Sequence, residues 1–130
     1  MKLKTSELQG AALDWAVAKC ELGSNPAAFD RFLSIFQYQN SHKTGYDWST
    51  NWSLGGLIIE REAISVAADT ADMFDSFMWF ASVDDILVDA DEAIGVRGPT
   101  PLVAAMRCHV ANKMGDEVEV PDELLQGEEA

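Results

Sequence analysis

Two histidines, two cysteines and one charged triplet are the places where this chain could make or break a bond. Cys108 and His109 are adjacent. A thiol is activated by an imidazole only within hydrogen-bond reach, and neighbours on a helix diverge by about 100°. His42, His109, Cys20 and Cys108 show neither a CxxC nor an HxxxH spacing, the local arrangements that hold zinc, so no metal is expected. Glu60-Arg61-Glu62 would present both carboxylates on one face of a strand and the guanidinium on the other. Paired carboxylates can move a proton or hold a cation, but a solvated sheet edge is the simpler reading. No phosphate loop, nucleophile elbow or dinucleotide fingerprint is present. The residues predict a non-enzymatic protein without a cofactor.

Recognition hardware is better represented. Gly55 and Gly56 would expose backbone amides without steric cover. Thr100-Pro101 opens a helix whose first-turn amides can hold an anion. Arg61, Arg97 and Arg107 are the available counter-charges, and Tyr46, Trp48 or Trp52 could stack on a planar ring. Together these suit a nucleotide-like ligand bound without turnover. The competing reading gives the same aromatics to a protein partner, as anchors on a long loop. The plainest reading makes Thr100 a helix cap, pairs the arginines with nearby acids and lays the tryptophans on the core.

Charge narrows the partners. The 130 residues carry 22 Asp and Glu against nine Lys and Arg, a net charge of −13. Such a balance disfavours direct contact with nucleic acid, whose phosphates reward cations, and with anionic membrane surfaces. It favours a basic protein partner, with nucleic-acid mimicry as a more distant alternative. No Lys or Arg occurs between Ala63 and Val96, while eight acids do. The cysteines are too sparse for a disulfide framework and read as reduced thiols of a cytoplasmic protein. Polar residues follow Met1-Lys2-Leu3-Lys4, unlike a signal peptide, and no apolar run approaches the ~18 residues of a membrane span.

The elements that must position these groups follow from periodicity. Residues 5–21 predict a helix, with Ser6 and Gln9 as a capping box and Gly23 as its stop. Leu8, Ala12, Leu13, Ala16, Val17 and Cys20 form its apolar face; Glu7, Asp14 and Glu21 lie opposite, with Trp15 half-buried at the edge. Residues 26–39 predict a second helix, capped by Asn25 and started by Pro26. Its Phe29, Phe32, Leu33, Phe36 stripe is core, or else the face of a homodimer. Residues 40–56 read as a long loop, and loops of that length are often functional. Residues 57–68 read as one or two strands from Leu57-Ile58-Ile59 and the alternation around Val66. Residues 76–83 fit a strand better than a helix, because their aromatics suit a sheet. Ile86-Leu87-Val88 and the Ile94–Val96 segment are further short strands. Residues 101–114 predict a helix capped by Thr100, started by Pro101 and ended at Gly115. Leu102, Val103, Met106, Val110 and Met114 form its core face. Val118 and Val120 lie in an extended segment, and residues 121–125 could add one turn.

Three blocks carry a family resemblance: Met1–Cys20, Asn51–Glu62 and Gly98–Leu125. They resemble the NinX-like family of small tailed-bacteriophage proteins. Members often carry proline where this chain has Leu57, and residues 24–45 and 69–96 depart from the family pattern. The family has no established activity. The resemblance therefore implies a phage-encoded accessory protein acting in the cytoplasm of the bacterial host.

These readings converge on an α+β fold in a single domain over residues 1–125, with an acidic tail at 126–130. Helices occupy both ends and a small, mostly antiparallel sheet the middle. The expected function is binding of a host or phage protein through an acidic, tryptophan-bearing surface.

Overall fold

The computed structural model describes residues 2–38, 46–69, 78–83 and 95–122. Its elements run β1 (Lys2–Lys4), a 3-10 turn over Thr5–Glu7, α1 (Gly10–Leu22), α2 (Pro26–Tyr38), α3 (Trp52–Glu62), β2 (Ser65–Asp69), β3 (Met78–Ser82), β4 (Gly95–Gly98), α4 (Pro101–Met114) and β5 (Glu117–Glu119). The fold is α+β, as expected. β2, β3 and β4 form an antiparallel sheet in that order, and β1 pairs antiparallel with β5. His42, the expected strand at 86–88 and the tail at 126–130 lie outside the described residues.

Helix α4 has the expected bounds, and its ends work as its sequence requires. Thr100 Oγ1 accepts from Val103 N at 3.1 Å, and Pro101 fills the first position, where an amide hydrogen would have no partner. The helix is buried much more widely than its expected face. Every residue from Leu102 to Val110 is buried, including Arg107, Cys108 and His109. The cause is its position: α4 packs on the β2-β3-β4 sheet and also on α1 and α3. A helix enclosed on several sides is buried well beyond one face, polar residues included. Gly55 lies against Leu102 near the start of α3 and α4, and Glu62 reaches Lys113 near their ends, so the two helices run the same way.

The first helix begins five residues later than expected. Thr5 N donates to Asp116 O at 2.7 Å and Thr5 Oγ1 donates to Gly115 O at 2.6 Å. These bonds hold the chain beside the far end of α4, while Lys2–Lys4 pairs with Glu117–Glu119. Leu8 is extended, and Gly10 turns the chain into α1 at φ 56°, a conformation glycine adopts freely. The Ser6–Gln9 capping box does not form; Gln9 is the N-cap and its side chain makes no cap bond. Two residues of α1 are deeper than expected. Trp15 is buried rather than half-buried, and Asp14 is buried rather than outward, its Oδ1 accepting from Ser49 N at 2.9 Å.

The largest correction lies at 40–68. Trp52–Glu62 is a helix, so the loop ends before Trp52 and no strand begins at Leu57. Asn51 Oδ1 accepts from Ser53 N at 2.9 Å, a side-chain cap at the helix start. Ala63, left-handed at φ 53°, ends it and releases Ser65 into β2. Two glycines weaken a helix by roughly 1 kcal/mol each and Ile-Ile favours a strand. Packing overrides both preferences. A β-carbon on Gly55 would stand 2.5 Å from Leu102 Cδ1 and 2.5 Å from Trp48 O, so only glycine lets α3 approach α4 this closely.

The remaining elements follow their patterns. Asn25 Oδ1 accepts from Ala28 N at 3.2 Å to cap α2. The segment favoured as strand contains β3, and Val66, Ala81 and Val96 align across the sheet. No helix among the described residues is long and apolar enough to cross a membrane.

Candidate functional site

Helix α3 sets the site because it sorts its residues by spacing. Gly55 and Ile58 point inward and are buried. Trp52, Ser53, Leu57 and Glu60 point outward and are exposed. Trp52 is 57% exposed and Leu57 64% exposed, two of the largest apolar side chains in contact with solvent. Gly56 lies between them on the same face. A β-carbon there would sit 3.7 Å from Trp52 Cε3, so the indole edge runs alongside a residue with no side chain. Trp52 and Leu57, five positions and so about 140° apart round the helix, flank Gly56 as an aromatic and an aliphatic anchor.

The other aromatics of the expected loop turn the opposite way. Trp48 is only 8% exposed, and Tyr46 packs partly buried beside it, with ring centres 5.6 Å apart. Both rings close on Phe32 of α2, at 5.0 Å for Tyr46 and 6.4 Å for Trp48. Phe32 is fully buried, and Phe29 leans on Trp15 with ring centres 6.4 Å apart. The phenylalanine stripe is therefore committed to the interior at Phe32, and Phe29 to the same cluster.

Arg61 lies near the other end of α3 from Trp52, roughly 14 Å away along the axis. Its Nη1 and Nη2 donate to Glu21 Oε1 and Oε2, both at 2.8 Å, and its Nε donates to Glu62 Oε2 at 3.0 Å. Lys113 Nζ stands 2.8 Å from Glu62 Oε1. His109 Nε2 completes the group at 3.1 Å from Glu21 Oε2. Burial, the largest influence on His109, holds its imidazole below its ordinary value; Glu21 acts against it without prevailing. A neutral ring that donates from Nε2 leaves Nδ1 bare, and Nδ1 is buried without a partner. Burial raises the Glu21 carboxyl, but bonds and charge from Arg61, then His109, outweigh it and leave it below its usual range. Lys113 and then Arg61 hold Glu62 down at about 2. Burial, with Glu21 adding, pushes the Cys20 thiol up to about 11, so it stays protonated and unreactive near neutrality. These groups fasten α1, α3 and α4 together at one end.

Thr100 and Arg107 stand elsewhere. The Thr100 hydroxyl is engaged in capping α4. Arg107 is buried, and its Nε donates to Leu8 O at 2.6 Å while Nη1 donates to Arg97 O at 2.9 Å. It ties the start of α1 to β4.

The eight residues singled out in the sequence thus divide. Trp52 and Gly56 share the outer face of α3. Tyr46, Trp48 and Gly55 line the packed side of the same region. Arg61 belongs to the ion-pair group, and Thr100 and Arg107 serve α4. Among the described residues no His, Cys, Asp or Glu group is arranged to hold a metal ion. Sequence reasoning missed Leu57 as an exposed anchor because it was placed in a strand. It missed the Glu21–His109 contact because both were judged only against their sequence neighbours. The position of His109 between Cys108 and Val110, on a helix with a strong apolar face, was a signal, since a buried imidazole needs a partner.

The model of the family described as Bacteriophage P22, NinX matches residues 4–113. The match takes in most of the opening block, the α3 block and most of α4, and the chain belongs to that family. No curated protein matches it.

Proposed function

We propose that this NinX-family phage accessory protein works without catalysis, by docking a host or phage protein on the outer face of α3. The observation that carries the reading is Trp52, more than half exposed on a capped helix, with Leu57 more exposed still and Gly56 between them. Exposed tryptophan is the strongest anchor type at protein interfaces. The strongly acidic field of the chain would steer a partner toward this face and repel nucleic acid.

The test compares capture of partners from phage-infected bacteria by the wild type, by Trp52→Ala and by Leu57→Asp. One bound protein should be lost from both variants, with melting temperatures close to wild type. A partner retained by both variants rejects α3 as the docking face.

A further inference from the structure

We infer that the segment docked on α3 is a short cationic polypeptide, with an apolar side chain seated over Gly56 and Lys or Arg beside it. This rests on the docking role of α3 and adds the chemistry of the partner. The first ground is local charge. Arg61, next to Glu60 on α3, and Lys113 are held by Glu21 and Glu62 in a group whose formal charges cancel. Glu60 is exposed on the docking face itself, and no ion pair joins it among the described residues. Glu60 therefore sets the sign of the face, in agreement with the chain's net −13. The indole face of Trp52 adds an attraction for Lys or Arg.

The second ground is what this charge excludes. A second copy of the chain would bring together two molecules that each carry a net charge of −13, a like-charge cost for self-association. The two anchors also offer only on the order of 200 Å², against the roughly 800 Å² per partner of a stable dimer. Nucleic acid and anionic lipid are repelled. The third ground is size. The 11 residues of α3 span roughly 16 Å, the length of a short linear segment rather than a broad surface.

A random dodecapeptide library is panned against the wild type and counter-selected on Trp52→Ala. The expected enrichment is peptides with Lys or Arg flanking an apolar residue. The affinity of the consensus peptide should fall about tenfold for Glu60→Lys and fall again with added salt. Glu60 is exposed, so that variant folds, and a melting curve checks it. Enrichment of neutral or acidic peptides, or an unchanged affinity for Glu60→Lys, overturns the cationic partner while leaving α3 as a docking face. No enrichment over Trp52→Ala overturns the docking reading itself. A dimer in sedimentation equilibrium that Trp52→Ala abolishes replaces the peptide with a second copy.

Discussion

His109 Nε2 lies 3.1 Å from Glu21 Oε2, the oxygen that also accepts from Arg61 Nη2 at 2.8 Å. One carboxylate thus joins α1 to α3 through a guanidinium and to α4 through a buried imidazole. The imidazole gives a single hydrogen bond and keeps a bare nitrogen in the interior. That arrangement tolerates a neutral ring and resists a charged one.

Stability should therefore fall in mild acid. His109 is held below its ordinary 6.5 in the folded protein, so the unfolded chain takes up its proton first. The neutral ring's contribution is complete above 6.5 and is lost as pH falls through the lower, folded value. Glu21, held below 4.5, keeps its contribution until pH falls under that figure. The loss between the two belongs to His109. Urea midpoints measured from about pH 7.5 to about pH 5 should drop in the wild type and drop less in His109→Gln. Equal slopes in both proteins would reject the assignment.

Gly55 and Gly56 should respond oppositely to alanine. Gly56→Ala adds a methyl in ordinary contact with Trp52 and should raise stability by about 0.5–1 kcal/mol through better helix propensity. Gly55→Ala drives a methyl onto the Trp48 carbonyl, which cannot rotate away, and should lower stability by about 1–3 kcal/mol. Denaturant unfolding of the two single variants decides. A stabilised Gly55→Ala would mean that α3 can move off α4 freely.

The contrast explains how far the sequence could be read. Helix α4 was legible to the residue because Thr100, Pro101 and Gly115 act on their own backbone neighbours. Asn25 and Pro26 made α2 legible in the same way. Helix α3 was not, although Asn51 is a good cap, because Gly55-Gly56 and Ile58-Ile59 argue locally against a helix. The reason for Gly55 lies in Trp48 and Leu102, the second of them 47 positions away in the chain, and no local pattern reports it. The pairing of Leu3 with Val118 was hidden for the same reason, since neither three-residue strand is stable alone. Of the candidate site, the aromatic types were legible and their directions were not. Whether Trp48 or Trp52 faces solvent depends on where α3 begins.

Those two tryptophans should part company in stability measurements. Trp48→Ala removes a ring packed on Phe32 and Tyr46 and should destabilise by roughly 3–5 kcal/mol. Trp52→Ala removes a solvated ring and should stay within about 0.5 kcal/mol of wild type. Thermal and urea unfolding of both variants provide the check. A large loss for Trp52→Ala would make it a structural residue and remove the anchor from the docking face.

Arg107 decides whether a buried charge can serve a fold that needs no ion pair there. Its guanidinium donates to two backbone carbonyls, Leu8 O and Arg97 O. Burial pulls it below its ordinary value, with the charge of Glu7 pushing back, so the desolvation penalty is real. Against that penalty stand two charge-assisted bonds at positions where the chain bends into α1 and leaves β4. Arg107→Ala deletes both bonds and leaves a cavity, and should cost about 3 kcal/mol. Arg107→Met refills most of the volume with apolar atoms and removes the buried charge, but leaves both carbonyls unpaired. It should still lose at least about 1 kcal/mol by urea unfolding. If Arg107→Met matches or exceeds the wild type, desolvation outweighs the two bonds. The residue would then be holding the geometry of the α1 entry without adding to its stability.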